Sequence, residues 1–235
     1  MDQQLSSHDA AIWWTARIND LMDLESLHQV EVVPTTFAPH LGADERVVGA
    51  SPVTQFDFIP AGDGSYLHQR GGGGFIISSR PGVLAAGAGF ALAGAAVRGM
   101  GNARRRREAE QLAQPQWRQI DAGILYVSQH GFYLHTPHGL FPWGWSNISA
   151  AELVGPGQLL VNGVSDRGPV HWVLQSDCAE LAFTFWARAR HSDHPQFRSG
   201  GWVPPGWVQR AQTSAHGVPQ LSSGRWSHVL PPPQR

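Results

Sequence analysis

The spacing of apolar positions near the start of the chain predicts a helix over residues 6–28. Apolar side chains recur there every three or four residues, which is the period of one helix face. Ser6 or Ser7 is suited to cap its first turn, and Asp9 follows where the helix dipole favours an acidic residue. The apolar line runs through Trp14, Ile18, Leu21 and Met22 before it fades into Glu25 and His28. We expect this amphipathic helix to dock on the main domain or on a partner chain.

The period changes from helical to about two after residue 45, which indicates strands. The stretch RVVGASPVTQFDFIP places Phe56 and Phe58 on one face and Asp57 on the other. From residue 117 short apolar runs alternate with turn residues such as QHG, PHG, PG and DRG. They predict strands at 124–128, 132–136, 140–145, 158–162 and 169–174. Such closely spaced strands favour an antiparallel meander over parallel units joined by helices.

A second helix is predicted directly after the last of these strands. Asp177 is placed to cap it, and Glu180 follows three residues later in the manner of a capping box. Leu181, Phe185 and Ala189 fall on one face, with Trp186 beside them. His191 and Pro195 mark its end.

A glycine- and alanine-rich segment over about 81–114 predicts a helical insert between the strands. Its uncharged part, residues 82–97, is short for a membrane span and contributes little apolar area. We therefore expect it to pack inside the protein, and a membrane-associated segment is the alternative. Small residues recur every fourth position, at Gly87, Ala91, Ala95 and Gly99, which permits close packing. Four arginines follow it: Arg104, Arg105, Arg106 and Arg107.

The strand and helix order resembles the pleckstrin-homology superfold, in particular bacterial PH-like and GRAM-like domains. The pieces that carry the resemblance are GILYVSQHGFYL, WGWSNISAAELV and the closing helix AELAFTFWARARH. It covers about residues 117–194, or 45–194 if the earlier strands complete the barrel. The resemblance implies a partly open antiparallel barrel with a C-terminal capping helix. The expected fold class is therefore α+β and mainly antiparallel β, with the N-terminal helix and the helical insert added.

The expected organisation has four parts. An amphipathic helix occupies residues 1–28, a linker 29–43, and the PH-like domain with its insert 44–194. The remaining residues, 195–235, are rich in Pro, Gly and Ser and are expected to be a partly disordered tail. Trp202 and Trp207 are candidates to anchor that tail to the barrel.

Composition narrows the functional classes. The formal net charge of −1 gives no overall attraction to nucleic acid or acidic lipid, and all 17 basic residues are arginine. Cys178 is the single cysteine, which excludes an internal disulfide and favours a small packed residue over a nucleophile. The first residues lack the pattern of a signal peptide, so a cytoplasmic location is expected, with peripheral membrane contact as an alternative.

The sequence motifs that could indicate a catalytic or metal-binding site are weak. Among twelve histidines, His191 and His194 form the best metal-binding pair, at a predicted helix end, while His130, His135 and His138 are close in sequence only. The run of four glycines from residue 71 lacks the ending of a phosphate-binding loop. We expect no cofactor.

The leading hypothesis is a non-enzymatic PH-like binding module that engages a protein partner or associates with itself. Candidate binding residues are Trp143 and Trp145 in the third predicted strand, and the four arginines. An anionic membrane surface contacted through residues 82–97 and 104–107 is the first alternative, and a metal-dependent enzyme using His191 and His194 is the second. Nucleic acid is disfavoured, because no basic stripe with stacking aromatic residues surrounds the arginines.

Overall fold

The structure is a computed structural model, and it describes residues 5–23, 25–59 and 115–212. Several predicted features lie outside these ranges. They are the run of four glycines from residue 71, the helical insert over 81–114 with its four arginines, and the end of the chain from residue 213. Phe58, Ile59 and residues 115–118 belong to a second unit, residues 58–118, of which little else is described.

Seven strands form one sheet in the part of the chain that the structure describes. They are β1 Val47–Ile59, β2 Gln116–Ser128, β3 Gly131–Thr136, β4 Gly139–Gly144, β5 Ile148–Gly155, β6 Gln158–Ser165 and β7 Gly168–Ser176. Their order is β4-β3-β2-β1-β7-β6-β5, and β4 and β5 are the two edges. Neighbouring strands with assigned register run antiparallel. The predicted α+β class, mainly antiparallel β, is confirmed.

The sequence prediction missed strand β5. Its pairing with β6 contains two irregularities, between Ile148 and Ala150 and between Leu153 and Gly155. Each shift interrupts the alternation of inward and outward side chains, which is the signal by which a strand is recognised. The next predicted strands were found, although β6 and β7 extend beyond the predicted 158–162 and 169–174.

Four α-helices are described: α1 Ser7–Asp23, α2 Ala179–Arg190, α3 Pro195–Arg198 and α4 Trp207–Gln212. Short 3-10 turns lie at Leu27–Gln29 and Trp145–Asn147. The predicted first helix is therefore too long, because α1 ends at Asp23 and residues 27–29 form a separate turn. Ser6 does cap α1, since its Oγ accepts a hydrogen bond from the Asp9 N–H at 3.0 Å.

Helix α2 forms the centre of the core. Every residue from Ala179 to Ala187 is buried, so the helix has no solvent-facing side along that length. It contacts strands β3, β5, β6 and β7, and it also contacts α1. A helix buried all round must be covered on both sides. Ala189, predicted to lie on the apolar face, is exposed, because the buried part ends before it.

Polar as well as apolar side chains of α1 are buried against α2. Ile12, Ile18 and Leu21 join the core, and the first of these was not in the predicted apolar line. The Asn19 side chain, 1% exposed, donates through Nδ2 to Thr184 Oγ1 at 3.0 Å. Asn19 was not part of the predicted apolar line. Its hydrogen bond fixes the position of α1 along α2 more precisely than apolar contact alone does.

The stretch expected to be a linker, residues 29–43, is held against the sheet. The Tyr133 hydroxyl accepts hydrogen bonds from the backbone N–H groups of His40 at 2.7 Å and Leu41 at 3.1 Å, and donates to Glu45 Oε2 at 2.7 Å. The Phe37 ring lies 4.7 Å from the Tyr133 ring, centre to centre. Burial raises the pKa of the Tyr133 hydroxyl, which therefore stays protonated and able to donate.

Residues 195–212 differ from the expected disordered tail. They form α3 and α4, and their large apolar side chains Phe197, Trp202 and Trp207 are buried. The indole N–H of Trp207 donates to the Asp9 carbonyl oxygen at 2.9 Å. Burying a side chain of this size stabilises the folded chain enough that its truncation costs about 3–5 kcal/mol. The abundance of Pro and Gly suggested a partly disordered tail, in which Trp202 and Trp207 were recognised as candidate anchors and Phe197 was not.

The outer edge of β5 is occupied by side chains from the helices. Gln196 Nε2 donates to the Leu153 carbonyl at 2.8 Å, and Gln196 Oε1 accepts from the Leu153 N–H at 3.0 Å. The side-chain amide thus bonds Leu153 in the way a neighbouring strand would. Trp186 Nε1 donates to the Ile148 carbonyl at 3.2 Å. These contacts satisfy part of an edge that would otherwise be open to pairing.

Two glycines opposite each other in β3 and β4 provide a matched test of the packing. A Cβ at Gly131 would lie 2.1 Å from the Trp143 carbonyl oxygen, whereas a Cβ at Gly144 would meet nothing closer than Ser146 Oγ at 3.6 Å. We predict that Gly131→Ala lowers the free energy of unfolding by about 3 kcal/mol, because backbone atoms would have to move. Gly144→Ala should be neutral or stabilising by up to about 1 kcal/mol, since φ −70° suits alanine. Urea unfolding followed by circular dichroism measures both, and equal effects would contradict the strand pairing.

Candidate functional site

The two tryptophans predicted as binding residues lie in the core. Trp143 is 5% exposed and Trp145 is 4% exposed. The Trp143 ring centre lies 4.9 Å from that of Trp172, and Trp145 Nε1 donates to the Gln129 carbonyl at 3.0 Å. The structure thus assigns both residues a packing role. The other predicted binding residues, Arg104 to Arg107, lie outside the described ranges.

The histidines predicted as metal ligands pack against an aromatic ring. The ring centres of His191 and His194 lie 4.9 Å and 5.7 Å from that of Trp186. Burial lowers the pKa of His194, which favours its neutral form. Among the described residues, no group of three or more His, Cys, Asp or Glu side chains is arranged to hold a metal ion.

The three histidines close in sequence have separate partners. His130 Nε2 lies 3.1 Å from the Ala43 carbonyl oxygen, and His138 Nδ1 lies 3.1 Å from Asp121 Oδ2. His135 sits between them on β3, with its ring beside those of Phe37 and Tyr126. The sequence expectation that the trio need not converge agrees with these contacts.

Cys178 is a packed residue in this structure. Burial raises the pKa of its thiol to about 12, so the thiol stays protonated at neutral pH. Its Sγ would lie 3.4 Å from a Cβ added at Gly49, so strand β1 passes close beside it. The residue also stands at the N-cap of α2, where it makes no side-chain cap.

A buried carboxylate at the start of α2 is the most unusual polar group that the structure describes. Glu180 is 1% exposed, and its Oε1 accepts hydrogen bonds from the Gly157 N–H at 2.7 Å and from His8 Nε2 at 3.0 Å. Its Oε2 is buried without a hydrogen-bond partner among the described residues. Leaving such an atom unsatisfied costs about 1–3 kcal/mol. The predicted capping box is wrong, because Glu180 reaches across to another turn and to another helix.

The Glu180 carboxylate changes the pKa of the His8 imidazole. The hydrogen bond to Glu180 raises the pKa of His8 above its ordinary value, against the opposing effect of partial burial. The charges of Glu180, Asp177 and Asp9 raise the His8 pKa further. A protonated His8 therefore joins the N-terminal helix to the buried start of α2 by a charge-assisted hydrogen bond.

Asp9, the residue after His8 in α1, contacts helix α4 near the end of the described chain. Arg210 in α4 contacts both carboxylate oxygens of Asp9, with Nε 3.1 Å from each and a terminal nitrogen 2.7 Å from Oδ1. This fork-like contact lowers the pKa of Asp9, which keeps the carboxylate charged. Adjacent residues of α1 are thus tied to two different helices, α2 and α4.

A groove of about 620 Å³ opens beside His8. It runs along the paired strands β1 and β7, where Thr54 lies opposite Gln175, and it reaches the β5–β6 turn at Gly157. Its lining combines hydroxyl and amide side chains with apolar ones. The lining residues include Ser51, Pro52, Thr54, Phe56, Gln119, Gln175 and Asp177. Such a lining offers hydrogen bonds and apolar contact together, with little charge.

Sequence reasoning assigned no function to His8, Gly157 or the groove. Glu180 was noticed, yet its position three residues after Asp177 suggested a local cap. A glutamate in a helix stretch that is otherwise apolar except for Thr184, AELAFTFWA, was the available signal. Such a residue must find partners when the helix is buried on all sides, and those partners lie in distant parts of the chain.

Comparisons of this chain with models of known protein families, with curated proteins and with solved structures give no match. Within the described ranges, none of the helices has both the length and the apolar character needed to cross a membrane. The segment 82–97, which raised that question, lies outside those ranges.

The contact between His8 and Glu180 predicts a specific pH dependence of stability. Because the pKa of His8 is raised by folding, its contribution is complete below about pH 6.5, the ordinary value, and is lost as pH rises through the raised pKa. We expect wild type to exceed His8→Gln in free energy of unfolding by on the order of 1 kcal/mol more at about pH 6 than at about pH 9. Urea unfolding at the two pH values measures this difference.

His138 provides the control, because its contact with Asp121 is similar in length but its side chain is 73% exposed. His138→Gln should change stability little at either pH. NMR titration of the imidazole protons measures the pKa of His8 directly. A His8 midpoint at or below the ordinary value would show that the contact is too weak to hold α1.

Proposed function

We propose that this chain is a non-enzymatic PH-like binding module that recognises a segment of a protein partner. The proposal is supported by the arrangement of the strands and of helix α2. A single antiparallel sheet ordered β4-β3-β2-β1-β7-β6-β5 is followed at once by helix α2, which packs on it. Antiparallel strands followed by one helix are consistent with the sequence resemblance to PH-like domains, which implies a partly open barrel and a capping helix. Fold alone does not assign a ligand, so the proposal rests further on the groove.

The proposal depends on where the described part of the structure leaves room for a ligand. Helix α2 and the aromatic residues of α3, α4 and the loop between them fill the region beside the sheet. A ligand is therefore expected at the surface, and the groove along β1 and β7 opens beside the buried contact of His8 with Glu180. Because β1 and β7 are interior strands of the sheet, a segment lying along them would be held by side chains of the groove and not by strand pairing.

The chemistry of the groove favours an uncharged polar segment. Ser51, Thr54, Gln119 and Gln175 supply hydroxyl and amide groups, which donate and accept hydrogen bonds. The ionisable groups in the described lining are Asp177 and His8, so the groove does not resemble a basic site for phosphate or acidic lipid. Pro52 and Phe56 add apolar surface against which side chains of the partner can pack.

We predict that blocking the groove abolishes peptide binding. Gln175 is exposed, so Gln175→Arg should fold normally while placing a long charged side chain in the groove. Random twelve-residue peptides displayed on phage would be selected on the wild-type protein, and the enriched peptides would be synthesised and titrated. We expect micromolar dissociation constants that weaken at least about tenfold in the variant, equivalent to ~1.4 kcal/mol.

Val164→Arg is the control, because Val164 is 62% exposed on β6 and does not line the groove. It introduces the same charge on the same sheet and should leave peptide affinity unchanged. If no peptide is enriched, or if the enriched peptides bind both variants as they bind wild type, the groove is not the recognition site.

A further inference from the structure

A second, smaller cavity lies at the β5–β6 turn, where Pro156 lines both the cavity and the groove. Its volume is about 160 Å³, similar to the engineered cavity of about 150 Å³ that holds benzene in another protein. Buried Trp202 and Glu180 line it, and Val154 near its rim is 50% exposed. The remaining lining residues are Leu153, Gly155, Pro156, Gly201, Pro204 and Pro205.

The cavity adjoins a carboxylate whose hydrogen bonding is incomplete. Oε1 of Glu180 already accepts from the Gly157 N–H and contacts His8 Nε2, at 2.7 Å and 3.0 Å. Oε2 is buried and has no hydrogen-bond partner among the described residues. A carboxylate oxygen accepts hydrogen bonds and does not donate them, so the group that would complete it is a donor.

We propose that this cavity binds a primary ammonium group carried on an aliphatic chain. The ammonium would donate to Glu180 Oε2, and the aliphatic chain would lie against Leu153, Pro204 and Pro205. Trp202 supplies an aromatic ring, and such rings attract ammonium ions that approach their faces. One charge-assisted hydrogen bond within apolar walls is the arrangement that suits a point charge on a hydrocarbon stem.

Other cations fit the site less well. A guanidinium binds carboxylates through two parallel hydrogen bonds, but Oε1 is already engaged by two partners. A divalent metal ion needs several oxygen, nitrogen or sulfur ligands, and Glu180 is the one carboxylate in the described lining. The two backbone groups of Leu153 are bonded to Gln196 and so are not available as ligands.

The charge of Glu180 is shared with His8, so an added ammonium would compete with a protonated imidazole for this carboxylate. The acidic groups near His8 are Glu180, Asp177 and Asp9, and the last is paired with Arg210. The sequence contains no lysine, so a side-chain ammonium must come from another molecule. Two sources share this chemistry: a free alkylamine and the lysine side chain of a partner protein.

The test is a titration of the full-length protein with butylammonium chloride, followed by calorimetry and by NMR of the Trp202 indole and Gly157 amide protons. At about pH 8 the ammonium is charged, since such groups have an ordinary pKa of about 10.4. We expect saturable binding that shifts both signals. Butanol, which has the same chain without the charge, should bind at least about tenfold more weakly.

Two variants test the assignment, and one controls for it. Glu180→Gln keeps an oxygen for the Gly157 N–H but removes the charge, and it should weaken butylammonium binding at least about tenfold. Val154→Trp obstructs the rim without touching the buried carboxylate and should have a similar effect even if Glu180→Gln proves unstable. Val164→Trp makes the same substitution at an exposed position away from the cavity and should bind as wild type does.

The two sources are separated by a second titration with Nα-acetyl-lysine methylamide. Tighter binding of this compound than of butylammonium assigns the site to a partner's lysine, and the reverse assigns it to a free amine. The proposal is overturned if butylammonium does not saturate the site, if butanol binds equally well, or if Val154→Trp leaves binding unchanged. Because Gln175→Arg does not touch this cavity, failure of peptide binding at the groove would leave this result unaffected.

Discussion

Helix α2 is buried along nearly its whole length, and this constraint determines what the rest of the chain must do. The sheet covers one side of the helix and cannot cover the other. The second layer is supplied by α1, from the start of the chain, and by the aromatic residues that follow α2. Segments that look peripheral in sequence are therefore part of one core. Removing either would expose apolar surface of α2 to water.

Polar contacts give this second layer its orientation. Apolar packing alone tolerates small shifts of one helix along another, whereas a buried hydrogen bond is satisfied in one position only. Asn19 with Thr184, His8 with Glu180, and Asp9 with Arg210 set three points along α1. One of them depends on proton binding to His8. The position of the helix is thus linked to the ionisation of His8, whose pKa is raised by the hydrogen bond with Glu180.

The sequence predicted the structural elements that depend on local periodicity. It did not predict the features that are determined by contacts between distant parts of the chain. The antiparallel strands, the cap at Ser6 and the helix ending near His191 follow from short patterns. Strand β5 was missed because bulges disturb its alternation, and the order of residues 195–212 was missed because Pro and Gly outweighed three aromatic residues. The site was less predictable still. Glu180 and His8 are 172 positions apart, and nothing in either neighbourhood indicates the other.

The amide of Gln196 on the edge of β5 has a consequence for how the chain is made. Gln196 follows Leu153 by 43 residues, so the ribosome releases β5 well before the side chain that completes its edge. During that interval the backbone of β5 is open to pairing with other nascent chains. The finished protein is protected by a residue that the growing protein does not yet possess. For β5, the period of exposure during synthesis is therefore set by the time between its own release and that of Gln196.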